Sequence, residues 1–241
     1  MVSNSEQLRK FYKLEEDFTN YTLSNVARVK ELKKFYNQNK PFFGKSILDL
    51  GCGGGILGFI TKDSKYLGID LNPDMISDAR KYAHTSKLRT KFEVGDFTRC
   101  SIKGKFDTVT MLGNTLGHIN IKLFRNTMVK LNEKTFSGSH FLIDYRDVVT
   151  MLFKKQWLDK MPITNSSNLT LISITAGYDA LTGEILKNTL VHNKVVLKFR
   201  HAVWSPFILN ALMQDYGWHL VKRAHTKRWD GWLDVYQKSF G

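Results

Sequence analysis

The chain has 241 residues, enough for one α/β domain with insertions and a substantial core. Its 42% hydrophobic and 24% charged residues, with only 4 prolines, exclude a disordered or low-complexity chain, and the sequence holds neither an apolar leader nor an apolar run of about 18 residues, so export and membrane spans are not expected. With neither indicated, the expected setting is the cytoplasm. A formal net charge of +14 attracts nucleic acid and anionic small molecules alike; the basic residues are dispersed, and the charge alone does not choose a partner.

In chain order, residues 1–44 read as an N-terminal helical segment. Within it "YTLSNVARVKELKKFY" (21–36) places Val26, Val29, Leu32, Phe35 and Tyr36 at helical spacing. Residues 45–160 read as an α/β core. "KSILDL" (45–50) is an apolar run short enough for a buried strand, followed by strands at 66–70, 91–97, 106–113 and 140–146 and by helices at 73–85 and around 121–133. Strands alternating with helices imply βαβ crossovers, hence a doubly wound, mostly parallel sheet of seven strands. Residues 161–204 change period: "LTLISITAGY", "GEILKNTLVHN" and "KVVLKFRHAV" are strand-like stretches joined by turn residues, as in an antiparallel insertion. Residues 205–241 return to the core with a helix capped by Ser205, started by Pro206 and stopped by Gly217, then two strands at 219–226 and 232–238.

The densest local signal is "DLGCGGG" at 49–55. Glycines between a buried strand and a helix let the backbone approach a ligand closely. Taken from Gly53, the residues Gly53, Gly55 and Gly58 satisfy the dinucleotide fingerprint G-x-G-x-x-G. Taken from Asp49, they give Asp-x-Gly-x-Gly-x-Gly through Gly51, Gly53 and Gly55. The strand ends near Leu50, so the tight turn belongs at Gly51, and from that start the dinucleotide pattern would need glycine where Ile56 stands. Asp49 would repel a pyrophosphate but help to hold an ammonium and a sulfonium, which points to S-adenosylmethionine. Asp70 closes the second strand, where a carboxylate accepts bonds from two ribose hydroxyls. Asp96 and Phe97 can offer a carboxylate to an adenine amino group and a ring to its face, or form a capped turn with a core phenylalanine.

With these motifs in order, the sequence resembles the class I S-adenosylmethionine-dependent methyltransferases over roughly residues 21–238. The resemblance implies a Rossmann-like fold, S-adenosylmethionine as methyl donor with S-adenosylhomocysteine as its product, and a cofactor site that also takes in Leu71 and Leu112.

The acceptor is then read from the ends of strands four and five, "LGNTLGHI" and "DYRD", where Asn114 offers an amide, His118 an imidazole and Arg146 a guanidinium fork suited to a carboxylate. The alternative for Arg146 is pairing with Asp144 or Asp147. "MLGNTLGHI" followed by "LIDYRDV" resembles the glycine/sarcosine N-methyltransferase branch. That similarity implies Asn114 and Arg146 at an amino acid's amino and carboxylate groups, His118 nearby, Tyr21 at the methyl-transfer centre and Arg28 on the cofactor carboxylate. In this chain Asp147, Val148 and Val149 replace the branch's Asn-Tyr-Asp after the arginine.

The leading expectation is therefore a small-molecule N-methyltransferase acting on an amine-bearing carboxylate, with an oligomer allowed by the sequence. The alternative is an RNA methyltransferase using the basic surface, although "LGNT" stands where base-amine methylases carry Asn-Pro-Pro-aromatic. No metal site is expected, because Cys52, Cys100 and the histidines lack ligand spacing. The cysteines read as buried thiols, His201 among others as a surface or core histidine, and the tryptophans Trp204, Trp218, Trp229 and Trp232 as packing beneath the insertion.

Overall fold

In the computed structural model, which describes residues 6–11, 23, 25–156, 160–164, 170–226 and 231–240, the chain opens with a short helix α1 at 6–11. Next come α2 (Val26–Asn39) and a 3-10 turn (Lys40–Phe42), then β1 (Ser46–Leu50), α3 (Ile56–Ile60), β2 (Lys65–Asp70), α4 (Pro73–Thr85), β3 (Thr90–Val94), β4 (Phe106–Met111), a 3-10 turn (Thr115–His118), α5 (Ile121–Glu133) and β5 (Thr135–Arg146). α6 (Val148–Phe153) leads into β6 (Lys160–Thr164), β7 (Thr170–Asp179), β8 (Glu184–Val191) and β9 (Lys194–Ala202); α7 (Pro206–Asp215), β10 (Trp218–Thr226) and β11 (Gly231–Lys238) close the chain.

The first sheet has seven strands in the order β10-β11-β5-β4-β1-β2-β3. β1 to β5 are parallel and β11 joins β5 antiparallel. Helices cover both faces, which is why β1 and β4 are buried along nearly their whole length. On one face α5 and α7 bring Phe124, Met128, Leu209 and Met213 against Phe141, Ile143 and Tyr145. On the other α4 brings Ile76, Ala79 and Ala83 against Tyr66 and Phe92. The reversal of strand order between β1 and β4 opens a crevice at the strands' carboxyl ends. The helix starts follow local chemistry: the side chains of Asn72 and Asn120 accept from the first-turn N–H groups of α4 and α5.

β6 to β9 form a separate four-stranded antiparallel sheet. Its buried face alternates along the strands, with Leu171, Ile185, Leu197, Phe199 and His201 inward. α1 packs there, Leu8 and Phe11 meeting Leu197 and Phe199, with the two phenylalanine rings 4.7 Å apart.

Several expectations are corrected. α2 begins at its Asn25 cap and runs to Asn39, and its inner face is Arg28, Leu32 and Asn39 rather than an apolar stripe, with Val26 exposed. β3 stops at Val94, so Asp96 and Phe97 lie in a turn beyond it. β5 starts at Thr135, with Gly138 at φ +81° where the register against β4 shifts. Trp204 and Trp218 pack in the core of the first sheet, not beneath the insertion, and Cys52 and Cys100 are only partly buried. Trp229 and Tyr21 lie outside the described residues.

Candidate active site

The glycine loop turns sharply because the N–H groups of Gly51 and Cys52 both donate to the carbonyl of Ile69, at 2.8 and 3.2 Å. Gly51, Gly53 and Gly55 all have left-handed backbones, with φ of +77°, +54° and +74°. A side chain at Gly51 would also meet Thr115 at 2.6 Å, and one at Gly55 would meet Phe92 at 2.3 Å. Bare backbone is therefore a requirement of both conformation and space.

Two carboxylates flank the loop. Asp49 is buried and accepts hydrogen bonds from the hydroxyls of Tyr66 and Thr110. Burial and, to a smaller extent, the neighbouring Asp70 raise its pKa to about 6 against those two bonds and the charge of Arg28. Asp70 accepts from the N–H groups of Gly53 and Asn72, each at 2.8 Å, and its pKa is likewise raised by burial. Arg28 of α2 is buried, donates to Glu31 at 2.8 Å and brings its guanidinium to 3.7 Å from where a Cβ at Gly113 would stand.

On the far side of the loop, the Asp96 carboxylate accepts from the Thr98 N–H at 3.0 Å and its hydroxyl at 2.6 Å, while the Asp96 carbonyl accepts from the N–H groups of Arg99 and Cys100. The turn and the ligand-wall readings coincide here, because Asp96 and Phe97 both line the same cavity as the loop. Lys130 of α5 fastens this turn, donating to the carbonyls of Phe97 and Cys100 at 2.7 and 3.2 Å. Sequence reasoning did not single it out.

One cavity takes in Arg28, Asp49, Gly51, Gly53, Asp70, Leu71, Asp96, Phe97, Leu112 and His118 of the expected residues. Gly55 lies behind it, against Phe92. Leu8, Cys52, Met75 and Thr115, which the sequence reading did not single out for the site, also form its wall.

The acceptor-side expectations need more revision. Asn114 does not line this cavity. It sits at φ +63°, its N–H donates to Asp144 at 2.8 Å, and its side-chain oxygen accepts from the Arg146 N–H at 3.0 Å, which ties the ends of β4 and β5 together. The Asp147 oxygens are taken by Thr150 of α6, whose first turn they cap, and by the Trp232 indole at 3.2 Å. His118 lies on the cavity wall, and enclosure followed by the charge of Arg146 lowers its pKa to about 4. Beside it stands His201 from β9, with ring centroids 5.9 Å apart and edge-on. Burial first, then His118, Arg146 and Lys187, push His201 well below the ordinary histidine range. Gly117 permits this approach, since a Cβ there would lie 2.5 Å from the His201 ring. No spacing in the sequence could reveal the pair, which depends on how the second sheet docks. Among the described residues, no group of three or more His, Cys, Asp or Glu side chains could hold a metal ion, and no helix is long and apolar enough to cross a membrane.

Residues 47–134 match a family model described as a methyltransferase domain. Among curated relatives, a ubiquinone biosynthesis O-methyltransferase from Pelagibacter ubique is 27% identical over 148 residues, 54% of this chain and 61% of its own. The chain spans about two fifths to three fifths of the length of the curated relatives it matches. An S-adenosylmethionine-dependent methyltransferase from Clostridium acetobutylicum superposes with a TM-score of 0.71 at 12% identity, covering 97% of this chain and 99% of that one. The sugar N-methyltransferase KedS8 from Streptoalloteichus superposes with a TM-score of 0.58 at 15% identity, covering 96% and 92%.

The fold is that of the class I S-adenosylmethionine-dependent methyltransferases, and the groups on the cavity wall suit that cofactor. A loop with no room for Cβ at Gly51 admits close approach, Asp49 and Asp70 are acceptors, and Arg28 is a buried cation. The comparisons bear out the fold and a methyltransferase domain over residues 47–134, not the branch: the curated relatives are named for O-methylation, where the sequence resemblance pointed to glycine and sarcosine N-methylation.

Proposed function

We propose that the protein is an S-adenosylmethionine-dependent methyltransferase acting on a small, carboxylate-bearing acceptor through a nitrogen or oxygen nucleophile. The observation that carries this reading is the glycine loop with Asp49, Asp70 and Arg28 around one cavity. Asp49 complements an ammonium, Asp70 a pair of ribose hydroxyls and Arg28 a carboxylate, while Asp96 and Phe97 supply an acceptor and a ring face for adenine. The bound cofactor supplies an electrophilic methyl group on a sulfonium.

The chain's own contribution is mainly positional. Holding nucleophile and methyl group in line is worth about 7–11 kcal/mol in favourable cases. His118, held neutral with a pKa of about 4, is a weak base; it accepts a hydrogen bond from the acceptor's N–H or O–H and orients the nucleophile, and the released proton passes to water. An amine acceptor remains the leading form, because it needs no strong base once deprotonated. A hydroxyl acceptor is the second form, supported by the names of the curated relatives. A cytoplasmic location is part of the same proposal.

The test is calorimetric titration with S-adenosylmethionine, followed by mass spectrometry of methylated products. The acceptors would be pairs that differ only in a carboxylate, such as glycine with methylamine and dihydroxybenzoate with catechol, with an RNA pool as a further arm. Micromolar cofactor binding and methylation of the carboxylated member support the proposal. Absence of cofactor binding overturns it, and methylation confined to RNA transfers the activity to the basic surface.

A further inference from the structure

Asp49 is held from both sides by hydroxyl groups that the cofactor itself does not meet. On β2 the register partner of Asp49 is Gly68, two residues beyond Tyr66, so Tyr66 and Asp49 share a face of the sheet and the phenol reaches Asp49 Oδ2. On β4 the register partner is Thr110, whose hydroxyl donates to Oδ1 at 2.6 Å. All three residues are buried, and of the three Asp49 alone lines the cavity.

The backbone makes room for this arrangement at a glycine outside the cavity. A Cβ at Gly58 of α3 would stand 2.7 Å from the Tyr66 ring, so glycine there lets α3 pack over the ring. Unlike Gly51, Gly53 and Gly55, Gly58 has no left-handed backbone to require it. It completes the pattern G-x-G-x-x-G for the sake of Tyr66, not of a dinucleotide.

A hydroxyl donating to a carboxylate favours the charged form of that acid. Tyr66 stays a donor, because burial first, then the charge of Asp49, push its phenol well above the ordinary range. An ionised carboxylate has about four acceptor positions, so one bond on each oxygen fixes its plane and leaves about two for a ligand. The other charged or titratable groups around Asp49 are Asp70 of β2, Arg28 of α2 and Cys52 of the glycine loop. Among the described residues, the two hydroxyls are its only hydrogen-bond donors.

We propose that Tyr66 and Thr110 are positioning residues of the cofactor site, a clamp that aims the Asp49 carboxylate at the cofactor's ammonium and keeps it charged. This deepens the methyltransferase reading and rests on it.

The experiment titrates the full chain calorimetrically with S-adenosylmethionine across the neutral and mildly acidic range. A second ligand is 5′-methylthioadenosine, which keeps the nucleoside and lacks the ammonium. Tyr66→Phe leaves the ring in place and deletes one donor to a charged acceptor. The pH below which S-adenosylmethionine binding weakens should therefore move up from about 6 by about one to two units. At about pH 6.5 that shift alone raises its Kd about 3- to 25-fold, while the Kd of 5′-methylthioadenosine stays within about twofold. Thr110→Val should reproduce the shift and decides the matter if Tyr66→Phe fails to fold; Thr110→Ser, which keeps the hydroxyl, should restore the wild-type profile. An unmoved midpoint in Tyr66→Phe, a wild-type profile without a midpoint, or equal losses for the two ligands overturns the clamp. A wild-type chain that does not bind S-adenosylmethionine at any pH overturns the methyltransferase reading instead.

Discussion

The two halves of the crevice are built in different ways. On the cofactor side, the working groups sit at or just beyond the carboxyl ends of β1, β2 and β3, and N–H groups of the loop backbone place them: Gly51 donates to the Ile69 carbonyl, Gly53 to the Asp70 carboxylate and Cys100 to the Asp96 carbonyl. On the acceptor side, His118 lies in the turn after β4 of the first sheet and His201 on β9 of the second, and tertiary docking sets their spacing. The first arrangement is encoded by adjacent residues and tolerates little change in the backbone. The second is encoded by side chains far apart in sequence and can be altered without disturbing the fold.

The sharpest way to break that contrast is Gly51→Val. It forces a β-branched residue into φ +77° and drives its side chain into Thr115. Strain and overpacking of about 3 kcal/mol or more should raise the S-adenosylmethionine Kd at least about 100-fold and lower the melting temperature. His201→Gln, on the other half, should leave cofactor affinity within about threefold, as a change outside the cofactor contacts does. Calorimetry on the two variants checks this, and similar losses in both would erase the distinction between the halves.

Asp49 gives a subtler test on the cofactor side. Its folded pKa of about 6 lies above the ordinary 3.8. Between those values the folded chain holds a proton that the unfolded chain has lost, so the stability of the unliganded protein falls as pH rises through that window. The cost is about 1.4 kcal/mol per pH unit. A cationic ligand reverses the preference, because it needs the ionised carboxylate. The Kd for S-adenosylmethionine should therefore rise as pH falls below about 6. Asp49→Asn should flatten that profile, weaken binding at pH 7.5 by about 10- to 100-fold and raise the unliganded melting temperature. His118, with its pKa of about 4, titrates too low to produce the midpoint. A midpoint near 6 that persists in Asp49→Asn would refute the assignment.

What was legible in the sequence follows the same division. The glycine loop, the cap at Ser205 and Pro73 at the start of α4 are local signals, and each stands where its residues put it. α6 was not legible, since Val148, Val149 and Thr150 are β-branched and give no helix signal; the Asp147 carboxylate offsets that by capping the Thr150 N–H. α2 misled in another way. It lies against the crevice rather than the core, so its buried face carries Arg28 and Asn39 where an apolar stripe is the usual signal. His201 offered no signal, because its partner His118 lies in a different sheet's loop.

Lys130 sharpens the cofactor half from outside the motif. It touches the Phe97 and Cys100 carbonyls from α5, so Lys130→Met removes two contacts that hold the adenine-side turn. At about 0.5–1.5 kcal/mol per hydrogen bond, the Kd for S-adenosylmethionine should rise about 5- to 150-fold. The KM of the acceptor should not change, and Lys130→Arg should recover part of the loss. A merely structural role would weaken both substrates together, and steady-state kinetics separates the cases.

The smallest expected effect concerns the two cysteines. Cys52 lies on the cavity wall, where enclosure, then the charges of Asp70 and Asp49, push its thiol well above the ordinary range. Cys100 flanks the adenine-side turn, and burial raises it too, but Lys130 acts in the opposite direction. Thiolate is the reactive form, so at neutral pH both should alkylate slowly, with Cys52 the slower. Peptide mass spectrometry after timed exposure to iodoacetamide gives the two rates separately. Saturating S-adenosylmethionine should slow Cys52 further and leave Cys100 nearly unchanged, because only the first faces the cavity. Equal protection of both would mean that the ligand tightens the whole turn, and the boundary of the cofactor half would then extend through Lys130 into α5.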